Sequence, residues 1–414
     1  MKNKIDKLVW EAVFGEDKEK AYLEIKKIGK ENGVFLSSIN NLYKTRANNE
    51  IPLNFTVPAI NIRGLTYDVA KAIFKIAVNQ KVGALILEIA RSEMNYTKQT
   101  PREFVSAVMG AAIHENFQGP LFIQGDHFQA KSKRGSCLQK EGDMEEIKSL
   151  IKNSIEAGFY NIDIDMSTLV DYSQETVEKQ QQQNYELSAE LAKYIREIEP
   201  KGITISLGGE IGHIGGKNST KEELIAYMEG FNNRLPKNMV GLSKIAIQTG
   251  THHGGMVLED GKLGNMKIDF SILKELSQLA RKHNMGGAVQ HGASTLPDKY
   301  FSQFVKNEAV EVHLATGFQN IIMDHPKFPK ELINKMYRWI DSSLTSERIK
   351  GQTEAQLHYK LRKKAWGEFK KECWSLSEDI KKPIMNDLEK RFIFLFKSLG
   401  ANDTKKITEK FIIR

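Results

Sequence analysis

Eight short apolar runs, separated by stretches long enough to form a helix, dominate the chain between residues 51 and 330. They are NFTVPAINI (54–62), GALILEIA (83–90), PLFIQGDHF (120–128), YNIDIDMS (160–167), GITISLGGEIG (202–212), SKIAIQTGT (243–251), GGAVQHGAS (286–294) and AVEVHLATG (309–317). Between most of them lie amphipathic segments such as LTYDVAKAIFKIAVNQ and DFSILKELSQLARKH. Alternation of this kind requires crossover connections, hence parallel strands covered by helices. Eight units over roughly 270 residues predict an α/β fold of the (β/α)8 TIM-barrel type, with an open doubly wound sheet as the alternative.

The flanks read differently. Residues 1–50 are expected to be a helical extension, since Asp17–Lys30 spaces its apolar residues helically. Strand signals stop after about residue 330, and 331–414 is expected to be a helical region built from PKELINKMYRWI, KLRKKAWGEFKKECW and MNDLEKRFIFLFKSLG. Its apolar cluster FIFLF (392–396) should pack on the barrel flank, with a lid or subunit contact as the other possibility.

The 414 residues carry a net charge of +8, but the excess is local: 19 basic against 12 acidic residues from 331 onward, and 41 against 40 before. The body therefore has no basic bias toward nucleic acid, and the basic stretch His358–Trp366 reads as a solvated helix face. No run of about 18 apolar residues predicts a membrane span. The N-terminus MKNKIDKLVWEAVFGEDKEK lacks the apolar core of a secretory signal, and two cysteines, Cys137 and Cys373, cannot build a disulfide framework, so a cytoplasmic location is expected.

Six of ten histidines, His127, His213, His252, His253, His291 and His313, fall at or just past predicted strand C-termini. In a TIM barrel that rim builds the active site, and six buried imidazoles on one rim each need a partner that simple packing does not supply. Asp126-His127 ends the third predicted barrel strand, Glu210 the fifth, His253 the sixth and His291 the seventh. Imidazole and carboxylate donors without thiolate suit Zn2+, Mn2+, Co2+ or Fe2+. Gly254 and Gly255, and Gly292 with Ser294, follow two of these histidines, where backbone N–H groups bind phosphate in many barrels; Lys262 in DGKLG is a candidate for added positive charge.

The ordered set DH, E-[LI]-G-x-x-G-G, G-x-x-H-G and H-G-x-S resembles the class II, metal-dependent ketose-bisphosphate aldolases across about residues 51–325. The resemblance implies a zinc-type cation, a phosphorylated sugar substrate and a homodimer or larger oligomer. It implies metal ligation by His127, His253 and His291, with Glu210 at the metal or a neighbouring site. Asp126 matches the acid that handles the substrate oxygen, and Asp165 a supporting acid after the fourth strand. Gly254, Lys262, Gly292, Ser294 and Thr316 match the phosphate and monovalent-cation region. The implied chemistry is C–C bond cleavage or formation through a cation-stabilised enediolate.

Two motifs depart from the family. The glutamate-rich loop that supplies its base is Lys217-Asn218-Ser219-Thr220 here, and its N-x-D-[TS] is His313-Leu314-Ala315-Thr316. Candidates for the base are Glu222, Glu223, His213 and His313, the two glutamates being expected as first-turn helix acids. Two other readings stay open: a barrel lyase or epimerase acting on another carbonyl substrate, and a non-catalytic partner subunit of a tagatose-bisphosphate aldolase.

Overall fold

The structure, a computed structural model, describes residues 1–412 apart from 131–139, 213–215, 252–257, 261 and 265–267. Its strands are β1 (Val34–Ser37), β2 (Val57–Asn61), β3 (Ile86–Ala90), β4 (Gly119–Gln129), β5 (Asn161–Asp165), β6 (Ser206–Glu210), β7 (Lys244–Ile247), β8 (Ala288–Gln290) and β9 (Glu311–Leu314). All pairings among them are parallel. β2 to β9 follow one another around a ring that closes through β9 on β2. Closure excludes the open sheet. Each of the eight apolar runs supplies one barrel strand, and helices fill most intervals between them.

One element of the N-terminal extension departs from the all-helical expectation. Between the helices Lys18–Glu31 and Asn40–Ala47 the chain forms β1, which pairs with the first residues of the long strand β4, Val34 opposite Gly119 and Ser37 opposite Phe122. Four residues are too few to show a period, so VFLS carried no readable signal.

β2, β3, β5 and β6 are buried at every position, as parallel strands covered by helices must be. Alternate side chains divide two apolar regions. Ile60, Leu87, Ile123, Ile162 and Leu207 face outward into the main core with the surrounding helices. Val57, Ala59, Ile86, Phe122, Ala246 and Val289 form a second cluster inside the ring, toward the strands' N-terminal ends.

The C-terminal region wraps the barrel. Helix Glu378–Ser398 buries Phe392, Leu395 and Phe396, and Phe392 meets Phe318 with ring centroids 5.2 Å apart, so the FIFLF cluster packs on the flank. The stretch His358–Trp366 is not the solvated face expected of it. Arg362 and Trp366 are buried, Arg362 is ion-paired with Asp324, and the segment crosses the barrel mouth. A side chain at Gly64 would stand 2.2 Å from the Trp366 ring, and one at Gly367 would stand 2.1 Å from the Tyr96 carbonyl oxygen. Glycine at both positions lets this segment lie directly on the loops after β2 and β3. Among the described residues no helix is long and apolar enough to cross a membrane.

Candidate active site

The site begins with an irregularity in β4. Gly125 pairs with Ile162 and Phe128 with Ile164, so Asp126 and His127 together stand opposite the single residue Asp163. A regular strand would send these two side chains to opposite faces; a bulge re-aims them. His127 takes a left-handed backbone angle, φ 43°, uncommon outside glycine. Both side chains consequently line one cavity of about 590 Å³ at the C-terminal mouth of the barrel. Phe128 folds back so closely that a Cβ on Gly125 would lie 2.4 Å from its ring, which explains the glycine before the Asp-His pair.

Three histidines converge there. The His127 and His291 rings are 4.5 Å apart, and His291 and His313 are 4.0 Å apart. His127 Nδ1 donates to Asp165 Oδ2 at 2.8 Å and lies 3.3 Å from Glu210 Oε2. Asp165 also accepts from Gln129 Nε2 at 2.8 Å and from the Ser167 hydroxyl at 2.7 Å. A histidine whose Nδ1–H is held by a carboxylate keeps its lone pair on Nε2, the tautomer suited to ligating a metal. Donor atoms of His127, Glu210 and His291 lie within 4.8 Å of one another, and so do those of Asp126, His291 and His313. Nitrogen and carboxylate donors at that spacing fit a borderline divalent cation.

Electrostatics set these groups apart. Burial, then repulsion from Asp165, pushes the Glu210 carboxyl up to about 8 against the pull of His127. Burial alone would raise Asp126 too, but His127, His313 and His291 hold it well below the usual carboxylate range. Burial would lower His313, yet Glu88, Asp126 and Glu311 hold its pKa well above that of an ordinary histidine.

Beneath this cluster lies a charged layer that sequence reasoning missed. Lys244, 1% exposed, is ion-paired with Asp163 Oδ1 at 2.9 Å and with Glu311, and donates to Gln124 Oε1 at 2.6 Å. Gln124 Nε2 donates to Glu88 Oε2 at 2.8 Å, and Tyr43 donates to Glu311. Glu311 Oε1 is 2.6 Å from His313 Nε2, linking the two layers. Gly208 makes room, since a Cβ there would lie 2.2 Å from Asp163 Oδ1. The available signal was a charged or amide residue within each of five mainly apolar runs: Glu88, Gln124, Asp163, Lys244 and Glu311.

The other expected residues divide into four groups. Gly292, with φ 69°, Ser294 and Thr316 line the cavity, and Ser294 Oγ accepts from the Gly317 N–H at 3.0 Å, tying the loops after β8 and β9 together. Lys262 lies elsewhere: its side chain is 82% exposed, paired with Asp260 at 3.0 Å, and borders a separate cavity with Arg362 and His358. His213, His253 and Gly254 lie outside the described residues. Glu223 closes a capping box with Thr220 at the start of helix Lys221–Asn232, and Glu222 sits exposed in its first turn, so both serve the helix terminus. Arg63, Glu93 and Tyr359 are cavity residues that sequence reasoning did not single out; Arg63 Nε donates to Glu93 at 2.7 Å and Nη1 to Thr316 Oγ1 at 3.1 Å.

Fold and site together define a TIM-barrel protein with a histidine–carboxylate cluster at the catalytic end. The profile of the family described as fructose-bisphosphate aldolase class-II matches residues 45–365, and the chain belongs to that family. Solved structures are similar in fold at low identity. A fructose-bisphosphate aldolase from Campylobacter jejuni superposes with a TM-score of 0.51 at 14% identity, over 90% of this chain and 97% of its own. A probable tagatose 6 phosphate kinase from Sinorhizobium meliloti 1021 gives 0.56 at 15%, over 86% and 99%. A protein described as a putative fructose-1,6-biphosphate aldolase from Coccidioides immitis gives 0.50 at 15%, over 88% and 97%. No curated protein matches in sequence.

Proposed function

We propose that the chain is a divalent-metal-dependent aldolase acting on a phosphorylated ketose, releasing or joining a three-carbon ketone phosphate and an aldehyde. The observation that carries this reading is the convergence of His127, Glu210 and His291 at the mouth of a barrel of this family. With His253, these residues would hold Zn2+ or a related cation, which supplies Lewis acidity at a ketone carbonyl.

The chain's own groups do the rest. Asp126, buried and negatively charged, lies 3.4 Å from His313 Nδ1 and moves a proton at the aldehyde oxygen. His313, in place of the family's amide, is gripped by Glu311 and positions Asp126. Asp165 orients the His127 ring. Gly292, Ser294 and Thr316 bind the phosphate of the ketone half, with Arg63 steering Thr316. A monovalent cation at this phosphate and a homo-oligomeric assembly complete the reading.

A second reading is favoured by one observation: Ala315 lines the cavity where the family carries a carboxylate, which fits a lyase or epimerase using another carbonyl substrate. Incubation with fructose 1,6-bisphosphate and a triose-phosphate assay separates the two. The aldolase reading expects triose phosphate, its loss with EDTA and recovery with Zn2+. Metal binding without triose phosphate supports the second reading; a chain without metal or EDTA sensitivity supports a non-catalytic partner.

A further inference from the structure

Glu88, Asp126 and His313 line the cavity together, and all three are buried. His313 Nδ1 lies 3.1 Å from Glu88 Oε1 and 3.4 Å from Asp126 Oδ1. Among the described residues, none of these three atoms makes a hydrogen bond. Neither oxygen therefore stands in line with an N–H bond on Nδ1. The far ends of two of these groups are held. His313 Nε2 is 2.6 Å from Glu311 Oε1, and Glu88 Oε2 accepts from Gln124 Nε2 at 2.8 Å. A proton on Nε2, gripped by Glu311, leaves the Nδ1 lone pair free, which is the carboxylate–histidine arrangement behind many metal ligands. Bonds of about 2.0–2.1 Å at tetrahedral angles place neighbouring donors about 3.4 Å apart, close to the spacing around Nδ1. Charge points the same way. Four carboxylates, Glu88, Asp126, Asp163 and Glu311, surround this ring, and the cations among them are Lys244 and, when protonated, His313 itself. Buried negative charge in excess is costly unless a cation balances it.

We propose that Glu88, Asp126 and His313 form a second divalent-cation site, distinct from the one built on His127, Glu210 and His291. One imidazole with two carboxylates suits Mn2+ or Zn2+. The two sites are neighbours, since the His291 ring is 4.0 Å from that of His313. His313 stands where the family carries an amide, and Glu88 lies outside the motifs that carry the resemblance, so the second site belongs to this chain's own residues. Its ion supplies Lewis acidity beside Asp126, at the aldehyde half of the substrate. That role rests on the aldolase reading; the binding of the ion does not.

Metal uptake by the full chain tests it. Protein loaded with one equivalent of Zn2+ is titrated with Mn2+, and electron paramagnetic resonance reads the ion left free. Uptake of one Mn2+ per Zn2+-loaded chain is expected. E88Q, which trades a charge for an amide, weakens that uptake about tenfold, H313A abolishes it, and both keep the first Zn2+. Asp341, Glu354 and His358 are another group of donors, at the surface, so H358A serves as the control and leaves the uptake unchanged. No Mn2+ uptake by the Zn2+-loaded wild type overturns the proposal, and this reading needs no variant to fold. Uptake lost in H358A but kept in E88Q and H313A overturns it too. Two ions bound without triose phosphate leave the second site standing and remove the aldolase reading; turnover with a single ion bound does the reverse.

Discussion

Two layers of polar side chains lie two residues apart on the same strands, and they are completed differently. The lower holds Gln124, Asp163 and Glu311; the upper holds Asp126, Asp165 and His313. In the lower layer Lys244 is the counter-charge, built into the chain and sealed from solvent. In the upper layer, among the described residues, no lysine or arginine pairs with Asp126, Asp165 or Glu210, whose ion-pair partners are histidines instead. Asp126, Asp165 and His313 border the cavity of about 590 Å³, whereas Gln124, Asp163, Lys244 and Glu311 are not among its lining residues. A buried acid cluster closed by its own lysine is architecture; one built with imidazole donors facing a cavity is suited to an external cation.

This contrast is open to direct attack. Lys244→Met should have the largest effect, because it leaves Asp163 and Glu311 buried without their cation. A loss of about 3–5 kcal/mol in urea unfolding is expected. A near-normal midpoint would show that the lower layer does not depend on Lys244. His291→Ala should fold normally yet lose bound metal and reduce turnover to background, since His291 belongs to both donor groups. Full metal occupancy by elemental analysis would break the contrast from the other side. Asp126→Asn should keep the metal and lower kcat by about 10²–10⁴-fold in a steady-state assay, the range for a lost proton-transfer group. Gly125→Ala, forced against Phe128, should cost about 1–3 kcal/mol through disturbance of the bulge, read as a lowered Tm together with weaker metal binding. Lys262→Ala should be the smallest, with stability changed by less than about 0.5 kcal/mol and turnover intact, because its side chain is exposed and outside the catalytic cavity.

The barrel was legible because parallel strands covered by helices must be apolar along their length, and eight such runs can be seen without knowing their partners. β1 was hidden by its four-residue length. The rim histidines were legible as residues at strand ends, but their mutual geometry was not. The bulge that turns Asp126 and His127 to one cavity depends on register with β5, which periodicity does not carry. The charged layer was not legible, because Lys244, Glu311 and Asp163 lie on three separate runs and only closure of the ring brings them together. The C-terminal contribution was misread for a related reason. His358–Trp366 has the composition of a solvated helix face, and its close approach to the loops after β2 and β3 rests on Gly64, far away in the chain, and on Gly367, the residue that follows it.

X-ray absorption at the zinc edge, on purified protein reconstituted with one equivalent of Zn2+, tests the central claim most directly. Nitrogen scatterers of imidazole type at about 2.0–2.1 Å, reduced in number by His291→Ala, are the predicted result. A spectrum of oxygen ligands only, indifferent to that substitution, would contradict it.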